Sequence, residues 1–315
     1  MKVHLLLACL LSLLIPLPLQ AQAKPSAQAR VIVVLREQAD LGAVQASGPT
    51  QRRQQIVALL KATAAHSAQV KADAIAARAA AGDPVSEITP FWIFNGFAIT
   101  ASPSVIARLA ASPEVLRIMP DALDLAPAGA ANPVDPASAT AGIESNLSVV
   151  QAPALWNLGW RGQGVVVASL DTGVDVAHPD LAASWRGGTN SWFDPYNEHP
   201  ALPTDVNGHG TWTMGVMVGG SAGGTAIGVA SAARWIAARI FDDRGRSSAT
   251  AVHRAYQWLL DPDGNPATDD APDVVNNSWT FTSPGCHLDF ERDLEAVRTA
   301  GILPIFAAGN SGPST

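Results

Sequence analysis

The chain has 315 residues, 48% of them hydrophobic, with a formal net charge of −7. That length exceeds one average domain and points to two domains plus a processed segment, and no apolar run beyond the N-terminus is long enough to span a bilayer. Residues 24–127 carry 10 Lys+Arg against 8 Asp+Glu, whereas residues 128–315 carry 9 Arg, no Lys and 19 Asp+Glu; the acidic second part argues against a nucleic-acid partner, and the opposite signs are compatible with the two parts docking on each other.

Met1–Ala23 reads as a secretory signal peptide: Lys2 gives the charged start, Leu5–Ile15 the apolar core and Ala21-Gln22-Ala23 a small-x-small cleavage site. The apolar core is too short for a membrane anchor, and Cys9 comes before that core is complete, which does not suit a lipoprotein box. The product is expected to be secreted, extracellular or periplasmic, and to begin at Lys24. Cys286 is then the one cysteine of the exported chain, a free thiol or one half of a bridge to something else.

Residues 24–125 form the first unit. Arg30–Leu35 is a strand. Thr50 to about Ala81 reads as a long helix closed near Gly82-Asp83-Pro84. Ile88–Ser102 is a strand pair broken at Asn95-Gly96, Ser102-Pro103 caps a helix over 104–111, and Val115–Met119 is a last strand. This β-α-β-β-α-β order is the ferredoxin-like pattern. Residues 126–145, rich in Ala and Pro, are expected to be an extended, exposed linker containing a processing site.

Residues 146–315 form the second unit. A helix is expected over 148–158, followed by strands over 164–170, 233–241, 273–279 and 302–308, alternating with helices after His209, over 247–260 and over 289–300. Such alternation means a parallel sheet with helices on both faces, an α/β fold. Functional groups then belong at the carboxyl ends of strands, where Asp171 and Asn310 fall. Asp171 ends the apolar strand, and His209 sits between two glycines at the start of an apolar helix. An aspartate that fixes an imidazole tautomer, and an imidazole that takes a proton from a nucleophile, are two thirds of a nucleophilic-catalysis device. Gly162-Gln163-Gly164 opens no helix, which excludes a dinucleotide fingerprint, and His178, Glu198 and His199 do not make the H-E-x-x-H of a zinc protease.

Asp171-Thr-Gly-Val-Asp-Val-Ala-His-Pro-Asp-Leu181, Asn207-Gly-His-Gly-Thr-Trp-Thr-Met-Gly215 and Phe306-Ala-Ala-Gly-Asn310 occur together in that order. They resemble the subtilisin-like serine proteases (subtilases), and Val275-Asn-Asn-Ser-Trp279 resembles the bacillopeptidase F type. The resemblance implies a subtilisin-like parallel sheet preceded by a small α+β pro-domain that assists folding and inhibits its own enzyme. It implies a secreted endopeptidase precursor acting on protein or peptide substrates, with His209 as general base, Asp171 as its orienter and Asn310 as a donor to the oxyanion. Ser278 and Trp279, with Gly309, match the substrate-binding side of the family. Trp212 stands where many members have a second histidine and is read as packing; Thr280 stands where many have glycine.

Asp180 matches a calcium ligand of the family, yet residues 219–226 offer no Asn or Asp where six or more oxygens are needed; no metal and no other cofactor is expected. No serine lies in a G-T-S-M-A context, and Ser311 and Ser314 are too close to Asn310 to serve. The chain is therefore read as a precursor fragment lacking its nucleophile. The competing reading is a secreted, non-catalytic binding protein that keeps the fold.

Overall fold

The computed structural model describes residues 28–67, 85–129 and 142–310, with the helical Ala72 and Ala76. The expected signal peptide, the far end of the helix expected to reach Ala81, most of the expected linker, and Ser311 and Ser314 lie outside those residues.

The first unit follows the expected element order: β1 Ala29–Leu35, α1 Pro49–His66, β2 Val85–Phe91, β3 Gly96–Ala101, α2 Pro103–Ala110 and β4 Val115–Pro120. The strands form one antiparallel sheet in the order β2-β3-β1-β4. Successive side chains of a strand point to opposite faces, and β1 buries both. Val31, Val33 and Leu35 pack with Val105 and Leu109 of α2. Ile32 and Val34 belong to a larger apolar cluster that runs on into the second unit. The helix α2 starts at Ser102, whose hydroxyl accepts from Val105 N, with Pro103 at its first position.

The chain leaving β4 runs between the two units as β5 Ala122–Leu123 and β6 Leu125–Pro127. The second unit then opens with β7 Gly142–Ile143 and two short helices, α3 Ser145–Val149 and α4 Ala152–Asn157, rather than the single helix expected. Gln151 between the helices is left-handed, at φ 59°, which breaks the helical path. The strands that follow are β8 Val166–Asp171, β9 Trp192–Phe193, β10 Thr225–Ala226, β11 Arg234–Arg239, β12 Ser247–Ser248, β13 Val274–Asn277, β14 Trp279–Phe281 and β15 Leu303–Phe306. The main sheet is parallel, in the order β15-β13-β8-β11-β9, and β7 and β10 form a separate parallel pair. Helices α5 His209–Val218, α6 Ala249–Leu260 and α7 Glu291–Thr299 complete the layers. The expected strand over 273–279 splits at Ser278: β13 stays in the sheet, while β14 turns away to pair elsewhere.

What β14 pairs with corrects the expected exposure for the start of the linker, residues 126–129. Its antiparallel partner is β6, and β5 is antiparallel to β12. Residues 126–129 are half-buried, because their backbone groups are hydrogen-bonded to the second unit rather than to water.

Asp121 anchors the crossing. Its carbonyl accepts Ala249 N at 2.8 Å, its Oδ1 accepts Thr250 N at 2.6 Å and its Oδ2 meets Arg30 Nε at 3.0 Å. A carboxylate at the positive end of α6 is favourably placed. Further along the seam Arg53 pairs with Asp269 at 2.7 Å, Lys61 pairs with Asp261, and Gln257 Oε1 accepts Trp92 N at 2.7 Å. Basic side chains of the first unit thus meet acidic ones of the second, as the split of charge in the sequence suggests. Replacing Asp121 with Ala removes a buried acceptor from an amide and from Arg30 together. The expected cost is ~1–3 kcal/mol, measured by urea unfolding against the unchanged chain.

Candidate active site

The strand β8 is Val-Val-Ala-Ser-Leu-Asp, buried from Val167 onward, and it delivers Asp171 to its carboxyl end at 1% exposure. The turn that follows is compressed. A Cβ on Gly173, which has φ +120°, would lie 2.0 Å from the Thr204 carbonyl oxygen, and one on Gly210 would lie 2.0 Å from the Gly173 carbonyl oxygen. Only glycine permits that approach. The start of α5 therefore abuts the end of β8, which is what brings His209 onto Asp171.

Asp205 holds this junction and was not identified from the sequence. Its Oδ1 accepts Thr172 Oγ1 at 2.9 Å, Asn207 N at 3.0 Å and Gly208 N at 2.9 Å; its Oδ2 accepts Thr211 N at 2.9 Å and Thr211 Oγ1 at 2.7 Å. It satisfies free amides around the first turn of α5 while tying that turn to Thr172. The signal was an aspartate four residues before a histidine that opens a helix.

His209, itself 1% exposed, places Nδ1 2.7 Å from Asp171 Oδ1. The carboxylate also accepts Thr172 N at 2.7 Å and Thr213 Oγ1 at 3.3 Å, so its orientation is fixed from three directions. His209 Nε2 points the other way and lies 3.3 Å from the carbonyl oxygen of Ala128. Ala128 N donates to Ser278 O at 2.7 Å. One residue back, Pro127 pairs with Trp279, Ala126 with Thr280 and Leu125 with Phe281. One residue on, Gly129 N donates to the side-chain oxygen of Asn310 at 3.0 Å, while the Asn310 amide donates to Gly309 O at 3.1 Å. His209, Ser278, Trp279 and Asn310 thus meet one short stretch of the chain itself, residues 125–129, with Asp171 behind His209 and Gly309 behind Asn310.

One expectation needs correcting. Trp212 is not packed away: it is 53% exposed, with its ring 6.0 Å from that of His209, because one turn of helix carries it to the open side of α5. The indole of Trp279, by contrast, is only 3% exposed and packs edge-on against Phe290 and Phe306; its strand meets the stretch 125–129 through backbone pairing. Asp180 turns its carboxylate to the backbone, accepting Ala222 N.

Burial works against a charge on His209, but the hydrogen bond and the charge of Asp171, joined by the Ala128 carbonyl, outweigh it and hold the imidazole above its ordinary value of 6.5. Both ring nitrogens face acceptors, an arrangement that suits the doubly protonated ring.

A twisted parallel sheet with a buried Asp–His pair at its carboxyl edge, and a strand edge that holds an extended peptide beside it, defines the subtilisin-like serine protease fold. Residues 162–315 match the subtilase family, Peptidase S8. Bacillopeptidase F of Bacillus subtilis (strain 168) is 36% identical over 282 residues, 83% of this chain and 19% of that protein. The major intracellular serine protease of the same organism is 31% identical over 173 residues, 54% of this chain and 50% of that protein. The crystal structure of fervidolysin from Fervidobacterium pennivorans, described as a keratinolytic enzyme related to subtilisin, superposes with a TM-score of 0.52 at 17% identity, over 90% of this chain and 40% of that one; it bears on the fold. Residues 162–315 belong to the subtilase family. The chain spans about a fifth of bacillopeptidase F and half of the intracellular protease.

Replacing Asp171 with Asn is expected to lower the His209 titration from its raised position, since burial then meets only the Ala128 carbonyl and the charge of Asp205; histidine NMR of the two chains reads this. The sign for stability follows: a raised folded value contributes stability fully present below pH 6.5 and lost as the pH rises through the folded value. The Asp171→Asn chain should lack that acid-side contribution in unfolding measured across pH 5–9.

Proposed function

We propose that this chain is the precursor part of a secreted serine endopeptidase, with residues 24–125 as its inhibitory pro-domain and the bond between Ala128 and Gly129 as its maturation site. One observation carries the reading: residues 125–128 lie antiparallel on β14, and the Ala128 carbonyl stands 3.3 Å from His209 Nε2. A strand-paired backbone carbonyl held at the Asp–His pair, with the amide of Gly129 next to it on Asn310, is what supports that reading.

The chemistry assigned to these groups is acyl transfer. The nucleophilic serine comes from a part of the protein outside the described residues. In molecules whose ring carries a proton on Nδ1 alone, the hydroxyl attacks the Ala128 carbonyl carbon and passes its proton to His209 Nε2, while Asp171 stabilises the imidazolium that results. Asn310, already in contact with Gly129, donates to the oxyanion that forms. His209 then returns the proton to the departing Gly129 nitrogen, and water releases the acyl group by the same steps in reverse. Because the peptide is recognised mainly through its backbone, protein and peptide chains are the substrate class. Export depends on Met1–Ala23.

A second reading, a non-catalytic binding protein with the same fold, is favoured by one fact: among the described residues no serine hydroxyl is hydrogen-bonded to His209. Expressing the complete coding sequence separates the two. The first reading expects a secreted precursor beginning at Lys24, a mature form beginning at Gly129, and one serine labelled by a fluorophosphonate probe. His209→Ala should leave the precursor uncut and unlabelled. Asn310→Ala should lower kcat by roughly 10²–10³, the effect found for an oxyanion-hole asparagine of subtilisin. A mature N-terminus other than Gly129 overturns the assigned bond, and one outside residues 126–145, or labelling that survives His209→Ala, overturns the proposal; a stable, unlabelled, uncut protein favours the binding-protein reading.

A further inference from the structure

Carboxylates buried near the seam between the units are met by side chains at two places, Asp261 by Lys61 and Asp293 by His253 Nδ1 at 2.9 Å. Asp121 is different, because what the second unit offers it is main chain. Ala249 N donates to its carbonyl at 2.8 Å and Thr250 N to its Oδ1 at 2.6 Å, while its Oδ2 turns back to Arg30 of its own unit at 3.0 Å. Both amides belong to the first turn of the 12-residue helix α6. The capping hydroxyl of Ser248 accepts Ala251 N at 3.1 Å, which leaves those two amides to be met from outside the helix. Thr250 is about nine-tenths buried, and its hydroxyl has no hydrogen-bond partner. The residue whose amide holds the carboxylate thus has a second donor to spare.

This contact continues the grip on the stretch beside His209. Ala122 and Leu123 pair antiparallel with Ser248 and Ser247, Leu125–Pro127 pair with Phe281–Trp279, and the Ala128 carbonyl reaches His209. Counted back from the bond after Ala128, Asp121 is the eighth residue. At 122 and 123 the second unit holds backbone by backbone, which any side chain permits. At 121 it also holds a side chain, and the positive end of a helix favours a negative one. Asp242, an acid of the turn before β12, is taken up by Arg246 at 2.7 and 2.9 Å, so its charge is already balanced.

We propose that the edge of β12 and the first turn of α6 form a substrate exosite of the mature protease, which selects an acidic residue at the eighth position before the bond to be cut. This rests on the endopeptidase reading, with the cut after Ala128, and adds a substrate preference to it. Once the first unit is gone, Ala249 N and Thr250 N lose their acceptors. An extended substrate laid along β14 and β12 restores them only if it reaches that far and carries an acceptor there. A carboxylate does so with a charge that suits the helix end, whereas an asparagine brings the acceptor without the charge. The substrate has no counterpart of Arg30, so its second oxygen is left to water and to the spare hydroxyl of Thr250. The favoured substrates are therefore unfolded segments with at least eight residues on the acyl side and an acid at the far end.

Three N-acetylated peptides with one common leaving segment test this on the mature enzyme made from the complete coding sequence. One carries residues 121–128 unaltered, one carries Asn in place of Asp121, and one begins at Leu125. The unaltered peptide should be cut with a kcat/KM about tenfold above that of the Asn peptide, and the shortened peptide should fall lower still. In the enzyme variant Ser248→Asp, which keeps a good helix cap and adds a negative charge at the site, the ratio between the Asp and Asn peptides should drop to about one or below. Because each ratio is taken within one enzyme, any general loss of rate cancels. If the variant does not fold, the ratios of the unaltered enzyme carry the test. Equal cutting of the Asp and Asn peptides, or a preference that persists in Ser248→Asp, overturns the exosite and leaves the endopeptidase reading standing. A protein that cuts none of the three overturns the endopeptidase reading, and the exosite with it.

Discussion

The contact on which the rest of the second unit depends is the hydrogen bond between Asp171 and His209. A carboxylate buried to 1% is costly unless its oxygens are met, and here one oxygen is met by an imidazole that another element has to deliver. The surrounding sequence serves that delivery: an apolar strand to carry the aspartate inward, glycines to let the helix start touch the strand end, and Asp205 to bind the first turn of the helix to the residue after the aspartate. Remove the close approach at Gly173 and Gly210 and the two side chains have no reason to meet. The same construction leaves the far nitrogen of His209 free to face outward, toward whatever lies on the strand edge.

Much of this was legible in the residues. Long apolar runs with period-breaking glycines announced the parallel strands, and the first unit's alternation of strand, helix, strand pair, helix and strand came through in order. Boundaries were less so, for physical reasons. Where Ser278 lies, the sequence reads as one continuous strand, because backbone pairing to a distant partner leaves no periodic trace. The split of the 148–158 helix turns on the left-handed backbone of one glutamine, which its neighbours do not signal. Residues 126–129 look like a linker because Ala, Pro and Gly carry little side-chain information; what orders them is hydrogen bonding to β14. Asp205 and the His253–Asp293 pair were missed for the same reason: their partners are far away in the sequence or are backbone amides.

Trp212 and Trp279 make the complementary point about single residues. Both are tryptophans beside functional motifs, and composition gives no ground to separate them. Helical geometry turns one to solvent beside His209, and the edge position of β14 turns the other into an aromatic cluster with Phe290 and Phe306. Whether such a side chain packs or faces outward is decided by the element that carries it.

The grip on residues 122–128 comes from two strand edges, β12 and β14, and from Asp121, and none of these contacts involves the bond that follows Ala128. Cutting that bond would leave every one of them in place. What would change is the effective concentration: a tethered segment faces its cleft at a millimolar level set by the linker, whereas a severed one must find it again in free solution. From that moment occupancy of the cleft would be governed by dilution, and two molecules cut at the same instant would open at different times according to how crowded their surroundings are.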